Sequence, residues 1–324
     1  MTPQSTDTAQ LMEQILYEVK RVVVGQDRFL ERVMVAMLAQ GHLLVEGVPG
    51  LAKTLTVKTL ANPVRGNFKR IQFTPDLMPS DVTGFRLFDM QSQTFQLRKG
   101  PVFTNLLLAD EINRAPAKTQ ASLLEVMQER QVTIDGETLR LSPPFMTLAT
   151  QNPVEHEGTY PLPEAQLDRF MFSLDLGYPE RSDEIEIVRR TTIGDSSAIS
   201  AVVSREDILA IQRLVRAMPV ADHILSYAVD LASATRPKEA GAAKVTNTYL
   251  EWGAGPRASQ YLILGAKAIA LMKGRAAPDA ADVRMVAAHV LAHRIVPNYR
   301  ATGEGLKAID LVLELVKEVP EPRY

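Results

Sequence analysis

The fold of this chain is decided by the stretch Leu43-Leu44-Val45-Glu46-Gly47-Val48-Pro49-Gly50-Leu51-Ala52-Lys53-Thr54. An apolar strand is followed by a turn that contains two glycines, and Lys53 and Thr54 then open a helix. Backbone N–H groups at a helix start can surround a polyphosphate only where small residues let the chain curl closely around it. Gly47 and Gly50 provide that freedom. The stretch therefore predicts a phosphate-binding loop between a buried strand and a helix.

Two side chains at the end of this loop have the chemistry to hold a nucleotide. Lys53 is expected to reach the outer phosphates, and the hydroxyl of Thr54 to hold the Mg²⁺ that bridges them. Ala52 departs from the usual pattern, which has glycine immediately before the lysine. The octapeptide alone leaves an alternative open, an ordinary strand-to-helix turn with an exposed lysine.

A short turn, Val23-Val24-Gly25-Gln26-Asp27, separates two amphipathic helical patterns ahead of the loop. Many ATPases seat the adenine base at such a turn, but a plain helix–helix connector explains these residues equally well. With this turn included, the predicted nucleotide-binding residues are Val24, Gly25, Gly47, Val48, Pro49, Gly50, Leu51, Ala52, Lys53, Thr54 and Leu55.

The composition is typical of a globular protein that needs no disulfides. The chain has 324 residues, a formal net charge of −2, 23% charged and 46% hydrophobic residues, and no cysteine. This balance suggests neither a polybasic nucleic-acid surface nor a lipid-binding one, and the length is sufficient for two domains. Apolar runs are too short to insert into a membrane, and the first residues lack a secretory signal pattern, so we expect a cytoplasmic location.

Two acids follow a second apolar run, at residues 105–109. Such a run reads as a buried parallel strand, which delivers side chains at its carboxyl end, where α/β sheets bind ligands. Asp110 is expected to hold Mg²⁺, directly or through water, and Glu111 to polarise the attacking water as general base. The alternative is favourable charge at the start of the helix predicted over residues 117–130. Downstream of a phosphate loop, the pair favours the catalytic interpretation.

Three later polar residues are further candidates, each with a simpler explanation beside it. Asn152 ends a buried strand and could hydrogen-bond the γ-phosphate, although asparagine before proline is also a common turn former. Arg169 follows Asp168, so a local ion pair is the alternative. Arg257 lies at the predicted start of a helix. Because the helix dipole disfavours a cation there, this position suggests an anionic partner.

The order of patterns divides the chain in two. Strands alternate with helices as far as residue 181, with hairpins predicted at residues 85–98 and 132–141. From residue 182 the pattern becomes all-helical. We therefore predict an α/β core with a parallel sheet flanked by helices and two inserted hairpins over residues 1–181, followed by a helical domain over residues 182–324.

The helical part contains recognisable helix starts. Ser204 with Asp207, and Asp279 with Asp282, have the spacing of reciprocal caps at a helix N-terminus. Residues 232–247 read as a charged loop. His289 and His293 are four residues apart on one helix, but without a third ligand nearby in the sequence they are expected to be ordinary surface or core histidines.

Together these motifs resemble those of MoxR-type AAA+ ATPases, over nearly the whole chain. The phosphate loop is one of the matching segments, and its alanine is itself typical of MoxR proteins. The other matching segments are Arg70-Ile71-Gln72-Phe73-Thr74-Pro75-Asp76-Leu77-Met78-Pro79-Ser80-Asp81, Asp110-Glu111-Ile112-Asn113-Arg114-Ala115-Pro116 and Glu164-Ala165-Gln166-Leu167-Asp168-Arg169-Phe170.

The resemblance implies roles for the candidate residues. Asn152 matches the sensor-1 position, Arg257 the sensor-2 position in the helical lid domain, and Arg169 the arginine finger that enters the neighbouring subunit's ATP site. It implies a homo-hexameric ring that hydrolyses ATP with Mg²⁺. The two hairpins correspond to the helix-2 insert and the pre-sensor-1 hairpin, which would face the central pore.

The resemblance also implies a class of activity. MoxR-type proteins are thought to act as chaperone-like machines that remodel or mature protein complexes, often with a von Willebrand factor A-domain (VWA) partner, on a client that this sequence does not reveal. A nucleic-acid motor is the main alternative, disfavoured by the balanced charge and by the lack of a recognisable nucleic-acid-binding module. A third possibility is a scaffold that binds ATP without turnover, against which the pair Asp110-Glu111 argues.

Overall fold

The computed structural model describes residues 5–47, 53–152, 158–193 and 200–322. Its α-helices are α1 (Ser5–Lys20), α2 (Asp27–Leu38), α3 (Lys53–Ala61), α4 (Pro79–Thr83), α5 (Ala117–Glu129), α6 (Glu164–Leu167), α7 (Arg181–Ile193), α8 (Arg205–Ala217), α9 (Asp222–Ala234), α10 (Lys244–Tyr249), α11 (Pro256–Met272), α12 (Ala280–Leu291), α13 (Tyr299–Gly303) and α14 (Ala308–Glu318). Its strands are β1 (Leu43–Gly47), β2 (Phe68–Gln72), β3 (Gly84–Asp89), β4 (Thr94–Lys99), β5 (Leu106–Asp110), β6 (Gln131–Ile134), β7 (Glu137–Arg140), β8 (Met146–Gln151), β9 (Phe172–Leu176), β10 (Leu250–Trp252) and β11 (Val296–Pro297).

A parallel sheet of five strands forms the centre of the first part, in the order β2-β5-β8-β1-β9. Helices cover the sheet, so that β5 and β8 are buried along most of their length. Burial on both faces explains why these strands read as continuous apolar runs rather than as alternating ones. All five carboxyl ends meet at one edge, which we call the carboxyl edge; the opposite one is the amino edge. The predicted α/β fold is confirmed.

Two antiparallel hairpins, β3–β4 and β6–β7, extend from this core as predicted. Arg86 of the first hairpin forms an ion pair with Glu137 of the second, so the hairpins lie side by side. The first hairpin exposes large apolar side chains that a folded monomer would normally bury, among them Phe88, Met90 and Phe95. This exposed apolar surface indicates contact with another protein or another subunit.

Over residues 182–193 and 200–322, the C-terminal part is helical except for one short pair of strands. Here β10 and β11 pair in antiparallel register, which corrects the all-helical prediction. The predicted loop at residues 232–247 is also partly wrong, because α9 continues to Ala234 and α10 begins at Lys244. The hydroxyl of Thr246 donates to the carbonyl of Ala234 and joins these two helices. The division at residue 181 stays a prediction.

Reciprocal caps start two helices of the C-terminal part, α8 and α12. The Ser204 hydroxyl accepts the backbone N–H of Asp207 at 3.1 Å, and the Asp207 carboxylate accepts the backbone N–H of Ser204 at 2.8 Å. Asp279 and Asp282 exchange the same pair of bonds. Both predicted helix starts are confirmed, because a cap depends only on residues three apart. No helix in the described ranges has both the length and the apolar character needed to cross a membrane.

The helical part packs directly against the edge strand of the sheet. One continuous apolar core includes Met12 of α1, Phe172 of β9, Leu262 of α11 and Val286 of α12. Because α1 and α11 share this core with the sheet, the helical part is held against the first part by buried apolar surface.

A neutral histidine is built into the start of β1. His42 is buried; its Nδ1 accepts the backbone N–H of Thr147 at 3.0 Å, so its Nε2 must carry the hydrogen and donate to the carbonyl of Met127, also at 3.0 Å. Burial, with a smaller contribution from Arg130, lowers the pKa of His42 from 6.5 to about 3. Burial likewise lowers the pKa of His289 to about 4.

The buried His42 and the half-buried His289 predict acid lability. Unfolding exposes His42 to protonation near its ordinary pKa, so the free energy of unfolding falls as pH drops from about 6.5 towards about 3. Between pH 7 and pH 5 we expect His42 alone to cost about 2 kcal/mol. Urea unfolding at the two pH values measures this loss. A His42→Gln variant should show a smaller loss, and equal losses would contradict the assignment.

Candidate nucleotide site

The predicted phosphate loop connects β1 to α3. Val48, Pro49, Gly50, Leu51 and Ala52 lie outside the described residues, and Lys53 is described only as the first residue of α3. Gly47 ends β1 against β9, where an added Cβ would lie 2.7 Å from the carbonyl oxygen of Leu176. Thr54 is half-buried in the first turn of α3, and Leu55 is exposed. A buried strand before these residues and a helix after them are where the sequence predicts them.

The turn assigned to adenine packs against the start of α7. Gly25 has φ +70°, and an added Cβ would lie 2.4 Å from Oδ2 of Asp183. The positive φ therefore favours glycine here, and a larger residue would also displace the carboxylate of Asp183. Val24 is half-buried beside it. The structure brings this turn and Asp183 together, and the adenine contact of Val24 and Gly25 stays a prediction.

Asp110 ends β5 at the carboxyl edge and has two partners there. Its Oδ1 accepts the hydroxyl of the buried Thr150 at 2.6 Å, and its Oδ2 forms an ion pair with Arg70 at 2.7 Å. Arg70 comes from the neighbouring strand β2. This pair of contacts fixes the carboxylate and partly neutralises it.

Glu111 follows in a left-handed backbone conformation with φ 55°. Its backbone N–H donates to the hydroxyl of Thr150 at 2.8 Å. Its Oε2 accepts from Nε2 of Gln72 at 2.7 Å and pairs with Arg114 at 3.0 Å. Strain of this kind in a non-glycine residue is common at functional sites. A short 3₁₀ turn and Pro116 separate the two acids from α5, so favourable charge at that helix start does not explain them.

Sequence reasoning missed the residues that hold these acids. Arg70 and Gln72 are two apart on β2, which places them on one face, and Gln72 pairs with Asp110 in the strand register. Their alternation was visible in the sequence as a signal. The acids that Arg70 and Gln72 contact could not be predicted, because the sequence does not show which strand lies beside β2 in the sheet.

Asn152 completes this edge. It directly follows β8, in which Gln151 pairs with Glu46 of β1, and its own exposure is 7%. Burial, and then the nearby Asp175, raises the pKa of Glu46. The ends of β1, β5 and β8 thus bring Gly47, Asp110, Glu111 and Asn152 to the same edge, from which α3 also begins.

The two candidate arginines lie at the amino edge. Arg169 lies shortly before the start of β9. Two residues later, Met171 donates its N–H to the carbonyl of His42, which lies just before the start of β1. A strand of five residues is about 16 Å long, so roughly that distance separates the two edges of the sheet. Arg257 contacts Asp168 and is therefore at the same amino edge. Neither arginine is at the edge that holds Asp110 and Glu111 of its own chain.

Asp168 forms ion pairs with two arginines that are distant in the sequence. Its Oδ2 pairs with Arg257 and its Oδ1 with Arg294, both at 2.8 Å. The anionic partner expected for Arg257 is thus Asp168 within this chain. Over the described ranges Arg169 forms no ion pair, so the local Asp168–Arg169 pair is not what the structure contains.

Comparison with known proteins assigns the family. Residues 42–172 match the ATPase family associated with various cellular activities (AAA), and residues 242–312 match an AAA lid domain. The chain is 44% identical over 312 residues to Chaperone MoxR1 of Mycobacterium tuberculosis, an alignment that covers 96% of this chain and 82% of that protein. The chain belongs to the MoxR family of AAA+ ATPases.

Two further proteins are similar to this chain over nearly its full length. The uncharacterized protein YeaC of Bacillus subtilis is 40% identical over 319 residues, 98% of this chain and 96% of its own. The crystal structure of a protein from Cytophaga hutchinsonii superposes on this chain with a TM-score of 0.92 at 42% sequence identity. The superposition covers 98% of this chain and 97% of that protein. The resemblance predicted from the motifs is confirmed, and MoxR membership implies nucleotide binding and ATP hydrolysis.

Proposed function

We propose that this MoxR-family protein is a ring-forming, Mg²⁺-dependent ATPase with chaperone-like activity on other proteins. The observation that carries this proposal is the separation of its machinery between the two sheet edges. Asp110 and Glu111 are at the carboxyl edge, whereas Arg169 and Arg257 are at the amino edge, about 16 Å away. An arginine side chain cannot span that distance, so a subunit needs a neighbour to complete its site.

At the carboxyl edge, each proposed role follows from the chemistry of the residue. Lys53 binds the outer phosphates, Glu111 takes the proton of the attacking water, and Asn152 orients that water towards the γ-phosphate. Carboxylate and hydroxyl oxygens are the donors that Mg²⁺ prefers, so Asp110 and Thr54 fit this ion, directly or through water. When bound, Mg²⁺ would neutralise charge on the phosphate oxygens.

At the amino edge, Arg169 is proposed to reach the nucleotide of the adjacent subunit, with Arg257 beside it. Charge builds up on the phosphate oxygens during transfer, and an arginine supplied from outside stabilises it. Because every subunit both gives and receives this contact, the interface is head to tail. Such an interface forms a ring where the rotation between subunits closes, and we propose a homo-hexamer.

The exposed hairpin β3–β4 supports contact with a client protein. Phe88 and Phe95 stack edge to face with ring centres 5.1 Å apart, and both remain exposed. Such a surface can bind an unfolded or partly folded chain, while the net charge of −2 gives no support to the nucleic-acid motor. A VWA-domain partner and a cytoplasmic location complete the proposal.

The test is the ATPase rate per subunit as a function of protein concentration, with particle size measured in parallel. We expect the rate to rise steeply over the range in which rings form. A Lys53→Ala variant should lose nucleotide binding and hydrolysis together, because the charge that attracts the outer phosphates is removed. A rate per subunit that stays constant while rings dissociate would contradict the shared site.

A further inference from the structure

A second group of arginines surrounds a cavity at the amino edge. The cavity, of about 230 Å³, is open to solvent. Arg169 and Arg257 line it, together with Arg130, which follows α5, and Arg216, in the last turn of α8. Arg130 and Arg216 were not among the residues that the sequence motifs singled out. Four guanidinium groups from four separate segments therefore converge on one small space.

This cluster has an excess of positive charge. Asp168 pairs with Arg257, but it is shared with Arg294. Among the described residues, no carboxylate forms an ion pair with Arg130 or Arg216. Burial, and then the charge of Arg216, lowers the pKa of Arg130. Guanidinium groups gathered without matching carboxylates repel each other, so the cavity favours an anion.

Neutral oxygens hold the two additional arginines in place. Arg130 donates to the backbone carbonyl of Gln40 at 3.0 Å, and Arg216 donates to the side-chain oxygen of the same residue at 3.4 Å. The amide of Gln40 in turn donates to Gln212 at 3.0 Å, and Gln212 donates to the carbonyl of Met37 at 2.7 Å. These bonds orient the guanidinium groups and leave their charge unneutralised, as a preorganised anion site requires.

We infer that Arg130 and Arg216 bind the terminal phosphates of the ATP held by the neighbouring subunit, alongside Arg169 and Arg257. This inference rests on the proposed shared site and extends it from two arginines to four. The cavity is at the edge that Arg169 presents to a neighbour, and phosphate oxygens match the planar fork of arginine. Its volume suits phosphate groups rather than a whole nucleotide.

The direct test replaces each added arginine in the full-length protein. Arg130→Gln and Arg216→Gln should each lower the ring's rate of ATP hydrolysis about tenfold or more, while ATP affinity and ring size stay at wild-type values. Arg130→Lys and Arg216→Lys should recover part of the rate because they restore the charge. Arg213→Gln is the matched control, since Arg213 is exposed on the same helix as Arg216 and does not line the cavity.

Mixed rings show which nucleotide the cavity serves. Arg216→Gln subunits keep their own carboxyl-edge site, and Glu111→Gln subunits keep the arginine cavity. If the cavity acts on the neighbour, mixing the two variants restores hydrolysis above the sum of their separate rates. No restoration would overturn the inference, because it would mean that the cavity serves its own subunit or another anion such as inorganic phosphate.

The outcome separates this inference from the proposed function. If Arg169→Ala abolishes hydrolysis while Arg130→Gln and Arg216→Gln behave like Arg213→Gln, the shared site stands and the four-arginine cavity is wrong. If wild-type subunits hydrolyse ATP equally well when dissociated, the proposed function itself fails.

Discussion

Glu111→Gln subunits are expected to bind ATP with wild-type affinity and to hydrolyse it about 10³-fold more slowly. The amide has nearly the same shape as the carboxylate, but it cannot accept a proton from the attacking water. The contact with Thr150 is made by the backbone of residue 111 and survives the change. Single-turnover hydrolysis and equilibrium binding of ATP, measured on the same sample, separate the two effects.

Glu206→Gln is the matched control for this variant, because Glu206 is an exposed acid on α8 that does not line the cavities beside Arg169. Its hydrolysis rate should remain at the wild-type value. If Glu111→Gln turns over as fast as this control, another group must activate the water. If it fails to bind ATP, the main role of Glu111 is structural, through its contacts with Gln72 and Arg114.

Arg169→Ala rings are expected to lose hydrolysis by a factor on the order of 10³ to 10⁵ and to keep ATP binding. Arg169 has no ion-pair partner within the described ranges, so the fold should tolerate its removal. The loss arises because the neighbouring nucleotide no longer receives a cation as charge builds up on its phosphate. Hydrolysis rate, ATP affinity and ring size are measured together, with Arg213→Ala as the matched exposed arginine.

Mixing Arg169→Ala subunits with Glu111→Gln subunits should bring hydrolysis back, although neither variant is active alone. Two kinds of mixed interface form in such rings. In one of them, the intact Glu111 of an Arg169→Ala subunit faces the intact Arg169 of a neighbouring Glu111→Gln subunit. A mixture that remains inactive in rings of normal size would show that Arg169 acts within its own subunit or is needed only for assembly.

The local sequence determined the elements of this fold and the chemistry at one edge of the sheet. The strand-to-helix step from β1 to α3 and the acids after β5 could be predicted from short patterns. The caps formed by Ser204 with Asp207 are of the same kind. Each depends on hydrogen bonding or apolar periodicity over a few residues, which sequence spacing fixes directly.

Only the tertiary structure decided which charged groups meet. Asp168 pairs with Arg257 and Arg294, which are 89 and 126 residues further along the chain, and not with the adjacent Arg169. Arg70 reaches Asp110 because β2 and β5 are neighbours in the sheet. The strand order and the packing of the lid on β9 set these contacts. The free energy that stabilises this strand order and this packing comes from burying apolar surfaces that are distant in the sequence. Local residue spacing carries no information about which distant surfaces meet.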